Sequence, residues 1–345
     1  MSIKVLIVDD SATARAVLKE ILSAAPGIEV VGVAPDAYVA RDKVVELRPD
    51  VICLDVEMPR MDGVSFLKKL MVHMPTPVVM VSSLTRQGAQ VTLDALEAGA
   101  VDYVAKPHSN IYDGADEIKS ELVEKVRIAA RAHVKRKTPT EIKKIANYTP
   151  LAETTQKVIA IGASTGGTEA LKEVLMRMPR NSPGIIVVQH MPGTFTKSFA
   201  QRLNELCEMS VKEAENGDHV GIGQVLIAPG NYHMVLRRSG ARYYVEIGEG
   251  RNVSGHKPSV DVLFNSVAKS AGRNAIGIIL TGMGADGAKG MAAMHDEGAF
   301  TIAQDEKSCV VFGMPKVAIE KGGVDHIISL EKIAHKTIEL VQQIQ

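Results

Sequence analysis

Five residues in the first third of the chain have side chains that could hold a metal ion and a phosphoryl group. They are Asp9, Asp10, Asp55, Ser82 and Lys106. Carboxylates that are brought together repel each other, and a hard divalent cation such as Mg²⁺ relieves that repulsion. The ammonium of Lys106 could pair with a phosphoryl oxygen. One such aspartate alone is usually a helix cap, so the prediction depends on the whole set.

A glycine-rich segment in the second half of the chain has two possible functions. Residues 162–167 read Gly-Ala-Ser-Thr-Gly-Gly and follow an apolar run. These glycines could let the pyrophosphate of a nucleotide approach the backbone, but their spacing is not G-x-G-x-x-G. The next strand ends in Gln189-His190, where a dinucleotide-binding fold has an acidic residue, and the Gly-Lys-Ser/Thr sequence of a phosphate-binding loop is missing. The alternative is a G-x-S-x-G turn that exposes Ser164 as a nucleophile, although serine also caps helices.

A serine nucleophile needs a base within reach and a carboxylate that orients the base. His190 ends the next predicted strand, and Asp286 lies in the glycine-rich segment 281–287 after another strand. Asp286 could instead be a helix N-cap. Three strand-end loops that offer Ser, His and Asp favour a catalytic triad. Its order along the chain differs from the Ser…Asp…His order of α/β-hydrolases.

Alternating strand and helix patterns must position the acidic set, which consists of Asp9, Asp10 and Asp55. β-Branched runs predict strands at residues 3–8, 29–33, 51–55, 78–82 and 101–104, separated by amphipathic helices such as 12–24 and 64–71. Five such repeats predict one doubly wound parallel sheet, as in flavodoxin-like folds. The acidic set, the serine and the lysine come at or just after strand ends, where open α/β sheets bind ligands.

The second half repeats this α/β pattern with an insertion. Strands are predicted at 157–162, 184–189 and 275–280, and helices at 260–271 and from residue 330 onward. Runs at 223–228, 233–237 and 243–247 predict a β-hairpin insertion with its turn at 229–231. The fold class is therefore α/β, with two doubly wound parallel-sheet domains, the second being a three-layer catalytic domain.

The distribution of charge separates the two domains. Residues 1–122 hold 18 acidic and 12 basic side chains, residues 123–156 hold 3 and 8, and residues 157–345 hold 19 and 20. We therefore predict a first domain over 1–122, a basic linker over 123–156 and a second domain over 157–345. The linker lacks interleaved aromatic residues and a helix-turn-helix pattern, so no nucleic acid is expected as a partner.

Composition excludes several other classes of protein. The chain has 345 residues, of which 46% are hydrophobic and 23% charged, which argues against a disordered or collagen-like protein. No apolar run reaches the ~18 residues of a membrane-spanning helix, and no signal peptide is apparent. Cys53, Cys207 and Cys309 form no C-x-x-C pair, so neither a zinc ribbon nor a disulfide framework is expected. A cytoplasmic protein without membrane insertion is predicted.

The first domain resembles the receiver domain of two-component response regulators. The motifs that carry this resemblance are Val-Asp-Asp-Ser at 8–11, Leu-Asp-Val-Glu-Met-Pro-Arg-Met-Asp-Gly at 54–63 and Ala-Lys-Pro at 105–107. It implies that Asp55 is the phosphoacceptor and that Ser82, Tyr103 and Lys106 respond to phosphorylation. It also implies a Mg²⁺ site made by Asp9, Asp10, Asp55 and the backbone carbonyl of Glu57. A chemotaxis histidine kinase would then be the phosphodonor.

The second domain resembles the catalytic domain of chemotaxis protein-glutamate methylesterases. The shared motifs are GASTGG at 162–167, QHMP at 189–192, APGNYHM at 228–234, GHKPSVD at 255–261 and TGMGADG at 281–287. The resemblance implies a triad of Ser164, His190 and Asp286. The backbone N–H of Met283 is the first candidate for the oxyanion hole and that of Thr165 the second.

The resemblance implies a specific activity and its control. The enzyme would remove methyl groups from glutamyl methyl esters on the cytoplasmic domains of methylated chemoreceptors, release methanol and also deamidate receptor glutamines. Mg²⁺ would serve receiver phosphorylation only, and ester hydrolysis would need no cofactor. The unphosphorylated receiver would cover the active-site entrance. Two alternatives stay open: a receiver-controlled esterase or amidase with a non-receptor substrate, and a binding module that cleaves no ester.

Overall fold

The computed structural model describes residues 2–82, 86–106, 115–132, 134 and 157–344. The chain divides into two compact units, Met1–Pro139 and Thr140–Gln345. Most of the predicted linker 123–156 lies outside the described residues, and its first residues belong to a helix that continues to Ala129. The boundaries of the three predicted segments stay a prediction.

The first unit is a five-stranded parallel sheet with connecting helices. Its elements are β1 (Ile3–Val8), α1 (Ala12–Ser23), β2 (Ile28–Ala34), α2 (Ala37–Leu47), β3 (Val51–Asp55), α3 (Gly63–His73), β4 (Val78–Ser82), α4 (Arg86–Ala98), β5 (Asp102–Ala105) and α5 (Ala115–Ala129). The strand order is β2-β1-β3-β4-β5, and every pairing is parallel. All residues of β3 and β4 are buried, as continuous apolar runs in a parallel sheet require. The predicted doubly wound sheet is confirmed.

The second unit combines a seven-stranded parallel sheet with an antiparallel hairpin. Its elements are β6 (Val158–Ala163), α6 (Gly167–Leu175), β7 (Gly184–Gln189), α7 (Gly193–Leu206), β8 (Ser210–Glu213), β9 (Gln224–Ile227), β10 (His233–Ser239), β11 (Arg242–Gly248), α8 (Val260–Ala271), β12 (Ala275–Ile279), α9 (Ala288–Asp296), β13 (Phe300–Gln304), α10 (Met314–Glu320), β14 (His326–Ile328) and α11 (Leu330–Gln343). The sheet order is β14-β13-β12-β6-β7-β9-β8. Among the helices of the described residues, none has both the length and the apolar character needed to cross a bilayer.

The predicted hairpin insertion is present, but its first strand and its turn differ from the prediction. The strand β9 pairs in parallel with β7 and β8 inside the large sheet, where Val225, Leu226 and Ile227 are fully buried. Only β10 and β11 form the hairpin, which turns at Gly240, where φ is +58°. The segment 229–231 instead connects the large sheet to the hairpin.

The strand order places three loops beside one another in the second unit. The central strand β6 pairs with β7 on one side and with β12 on the other. The chain leaves β6 toward β7 and later returns to β12, so the direction of winding changes at β6. Open α/β sheets bind ligands beyond the carboxyl ends of the strands at such a switch point. This is where the predicted nucleophile, base and carboxylate lie.

Candidate functional site

Ser164, His190 and Asp286 form one hydrogen-bonded chain in the second unit. Ser164 follows β6, His190 follows β7, and Asp286 lies between β12 and α9. The distance from His190 Nδ1 to Ser164 Oγ is 3.1 Å, and that from His190 Nε2 to Asp286 Oδ2 is 2.8 Å. The structure therefore brings the three predicted residues together in the order nucleophile, base and carboxylate.

The orientation of the His190 ring determines which nitrogen would do which task. Nδ1 faces the Ser164 hydroxyl and Nε2 faces the Asp286 carboxylate, so a neutral ring with its proton on Nε2 could accept at Nδ1 and donate to Asp286. In the serine-protease arrangement the two nitrogens have the opposite partners. The side chain of His190 is only 8% exposed, so little of the ring contacts solvent.

Asp286 is a buried carboxylate that is held by an unusually large number of donors. Its oxygens accept hydrogen bonds from His190 Nε2, the Ser259 hydroxyl and the backbone N–H groups of Val260, Asp261 and Gly287. Burial opposes ionisation, but the hydrogen bonds and the charge of His190 outweigh it and hold the pKa of Asp286 below its ordinary value. The carboxylate is therefore ionised when it faces His190.

Asp286 also contacts the start of a helix, as a capping residue does, but this helix is α8 and not α9, which directly follows Asp286. The helix that follows it, α9, has Gly287 at its N-cap, with no hydrogen bond from a side chain. Asp286 instead contacts the first N–H groups of α8, whose own N-cap is Ser259. The positive end of that helix stabilises the carboxylate. Capping and contact with His190 are thus properties of the same side chain.

A tight turn holds Ser164 between strand and helix. Gly166 has φ +76° and is the N-cap of α6, a conformation that favours glycine. The N–H of Ser164 donates to Thr281 O (3.0 Å), and its carbonyl accepts from the Gln189 side chain (3.0 Å). A Cβ on Gly282 would lie 2.7 Å from Ser164 Cβ, so glycine permits this close approach.

Gln189 is a further site residue that the sequence patterns did not single out. It is 4% exposed, and its Nε2 donates both to Ser164 O and, at 3.3 Å, to His190 O. It therefore connects the loop of the predicted nucleophile to the loop of the predicted base. Its position in the motif QHMP, directly before His190, was the available signal.

The two predicted oxyanion donors belong to two segments, one that follows Ser164 in the chain and one whose Gly282 lies next to Ser164. Among the described residues, no hydrogen bond uses the backbone N–H of Met283. A Cβ on the neighbouring Gly282 would lie 2.7 Å from Ser164 Cβ, so this segment runs close to Ser164. Thr165 directly follows the serine, and its carbonyl accepts a hydrogen bond from Thr281 Oγ1 (3.0 Å). Both assignments stay predictions.

The first unit brings the acidic set together. Carboxylate oxygens of Asp9, Asp10 and Asp55 lie within 4.8 Å of one another, a donor set that suits Mg²⁺. Lys106 Nζ lies 2.8 Å from Asp55 Oδ2 and 3.0 Å from Asp9 Oδ2. Burial raises the pKa of Asp55 to about 6, with the Asp9 charge adding to the rise and Lys106 opposing it. A divalent cation would relieve the repulsion between the carboxylates of Asp9, Asp10 and Asp55.

The remaining receiver residues have separate environments. The Ser82 hydroxyl accepts a hydrogen bond from Thr92 Oγ1 of α4 at 2.7 Å. Tyr103 is buried, and Lys125 Nζ lies 4.8 Å from the centre of its ring. Glu57 is exposed, and its backbone N–H donates to Asp55 Oδ1, with the nitrogen 3.4 Å from that oxygen. A metal-binding role for the Glu57 carbonyl stays a prediction.

Comparison with known proteins gives relatives that match nearly the whole of this chain. The family model "Response regulator receiver domain" matches residues 5–112, and "CheB methylesterase" matches residues 159–337. A protein-glutamate methylesterase/protein-glutamine glutaminase of Sulfurimonas denitrificans is 64% identical over 351 residues, covering 99% of each chain. One of Syntrophus aciditrophicus is 60% identical, covering 98% of this chain and 99% of that protein. The crystal structure of the Thermotoga maritima CheB methylesterase catalytic domain is 42% identical, with a TM-score of 0.53, and covers 54% of this chain and 98% of that chain.

Proposed function

The chain belongs to the CheB methylesterase family with a receiver domain, and from this premise we propose that it demethylates chemoreceptors under the control of phosphorylation at Asp55. Its enzyme class is that of a protein-glutamate methylesterase, a hydrolase that takes part in chemotaxis. The observation that carries the proposal for the site is the hydrogen-bonded chain from Ser164 through His190 to Asp286. The substrate would be a glutamyl methyl ester.

Ester cleavage would begin with the transfer of a proton from Ser164 to His190. Nδ1 of His190 takes the hydroxyl proton while Oγ attacks the carbonyl carbon of the ester. The imidazolium that results is stabilised by the ionised Asp286, which does not itself take the proton. The N–H of Met283 would donate to the oxyanion of the tetrahedral intermediate.

The intermediate would then collapse in two further steps. His190 returns the proton to the departing methoxide, so methanol leaves and a glutamyl ester of Ser164 remains. Water, deprotonated by His190, attacks this ester and releases glutamate and the free serine. A glutamine side chain can follow the same path, with ammonia in the place of methanol. This agrees with the name glutaminase that the relatives carry.

Phosphorylation of Asp55 would control the second unit. We infer that Asp9, Asp10 and Asp55 hold Mg²⁺, which offsets the negative charge at the phosphoryl group when bound. Lys106 lies close enough to Asp55 to pair with a phosphoryl oxygen. A histidine kinase would be the phosphodonor. The hydroxyl of Ser82 would leave Thr92 for the phosphoryl group, and Tyr103 would follow this movement.

Two questions, substrate and control, are tested in one experiment. Membranes that carry methyl-labelled chemoreceptors are incubated with the full-length protein and Mg²⁺, with and without acetyl phosphate, and methanol release is measured. We expect release to rise with acetyl phosphate for the wild type and to stay at the basal level for Asp55→Asn. No release from receptors, by folded protein that still phosphorylates Asp55, would instead support a receiver-controlled hydrolase with another substrate.

A further inference from the structure

The imidazole ring of His256 lies flat against that of His190. The two ring centroids are 3.7 Å apart, and the ring planes are inclined by 15°. His256 belongs to the loop between β11 and α8, which two backbone hydrogen bonds with Val253 close at 3.0 and 3.1 Å. The backbone at His256 is therefore held in a closed loop of the second unit.

This contact leaves both nitrogens of His190 to their partners. Nδ1 faces Ser164 and Nε2 faces Asp286, and both contacts lie at the edge of the ring. His256 covers a face of the ring and competes with neither partner. Its contact also contributes to the burial of His190, whose side chain is 8% exposed.

We propose that His256 is a positioning residue for the general base. Its ring keeps the plane of His190 in line with Ser164 and Asp286, because rotation of one stacked ring away from the parallel orientation would disrupt the contact between the two faces. While neutral, it also presents an electron-rich face to the imidazolium that forms when His190 takes the serine proton. This inference rests on the proposed triad, and it assigns a role that the strand-end pattern does not predict.

The charge at position 256 decides whether the contact helps or hinders. A neutral ring attracts the imidazolium of His190, whereas a cationic ring at 3.7 Å repels it. Asp286 lies at the edge of His190, and two charged residues, Lys257 and Asp261, are close to His256 in the chain. Lys257 Nζ binds Gly250 O, and Asp261 accepts from Ser254 and Gly290.

Three substitutions separate the shape of the ring from its charge. His256→Phe keeps a flat neutral ring, His256→Ala removes it, and His256→Arg provides a flat group with a fixed positive charge. The exposed His335, which pairs with Glu339 on α11, gives the control His335→Ala. Each is made in the full-length protein, and kcat, KM and the pH dependence of methanol release are measured with methyl-labelled chemoreceptor membranes.

The stacking of His256 on His190 predicts a different kcat for each variant. His256→Ala lowers kcat about three- to tenfold with little change in KM, which is the order of magnitude that aromatic pairs contribute. His256→Phe recovers most of that loss, and His335→Ala matches the wild type. His256→Arg lowers kcat below the alanine variant and moves the acid limb of the pH profile to lower pH, because its charge opposes protonation of the adjacent ring.

Either of two results would overturn the inference. One is His256→Ala with the kcat and pH profile of the wild type; the other is His256→Arg indistinguishable from His256→Phe. If the alanine variant does not fold, as judged by circular dichroism, the comparison of Arg with Phe decides. Ser164→Ala separates this inference from the proposed function: wild-type release by that variant would refute the triad itself.

Discussion

Replacing Asp286 with asparagine removes the charge that faces His190 and nearly preserves the shape of the side chain. The Asp286 Oδ2 atom lies 2.8 Å from His190 Nε2. Opposite unit charges at this distance attract by about 6 kcal/mol at an effective dielectric constant of 20. Proton transfer from Ser164 puts a positive charge on the ring in the transition state, so we expect about 4 kcal/mol of that attraction to be lost there. This lowers kcat about 1000-fold.

A neighbouring carboxylate provides the matched control for this substitution. Asp261 is 3% exposed and lies in the first turn of α8, but its side chain accepts from Ser254 and Gly290 and not from His190. We expect Asp261→Asn to lower the free energy of unfolding by about 1–2 kcal/mol while kcat stays within about threefold of the wild type. Methanol release gives kcat, and urea unfolding gives stability. The reasoning is refuted if Asp286→Asn keeps more than a tenth of the wild-type kcat, or if Asp261→Asn loses as much activity.

Three further predictions concern stability, close packing and control. Asp55→Asn should stabilise the receiver unit by about 1–2 kcal/mol at pH 7 but not at pH 4, as measured by urea unfolding. Burial and the Asp9 charge raise the pKa of Asp55 from 3.8 to about 6, so the ionisation of this carboxyl group lowers the stability of the folded unit as the pH rises through that range. An equal gain at both pH values would contradict this. Gly282→Ala should lower kcat at least about tenfold, since the new Cβ would lie 2.7 Å from Ser164 Cβ. Gly248→Ala is the control: its new Cβ would have no atom within 4 Å, so kcat should not change. Deleting residues 1–150 should raise basal methanol release severalfold, and unchanged release from a folded fragment would argue against inhibition by the receiver.

The sequence patterns predict best the strands that are buried on both faces. The predicted ranges 3–8, 51–55, 78–82 and 184–189 coincide with β1, β3, β4 and β7, whose apolar runs are continuous because helices or loops cover both faces of a parallel sheet. The patterns do not mark β8 or β14, which are short edge strands with partly exposed residues. They also miss β13, although four of its five residues are buried. Nor can a local pattern show that β9 pairs with β7, because that pairing joins distant parts of the chain.

In the candidate site, too, the sequence patterns predict which residues lie at the strand ends but not the contacts that depend on how distant segments pack. A rule about strand ends suffices to bring Ser164, His190 and Asp286 to one edge, and the structure places them within hydrogen-bond distance. The stacking of His256 depends on how the loop between β11 and α8 folds over the sheet, which no periodicity records. The contacts of Asp286 with the start of α8 depend on the packing of two helices that are separated by β12.

The measurement that tests the central claim most directly compares the wild type with Ser164→Ala on the same preparation of methyl-labelled chemoreceptor membranes. Methanol release is followed in the presence of Mg²⁺ and acetyl phosphate, and both proteins are first shown to be folded by circular dichroism. The account predicts rapid release by the wild type and release no faster than a protein-free control by Ser164→Ala. Release by Ser164→Ala at the wild-type rate would contradict a serine nucleophile and with it the triad.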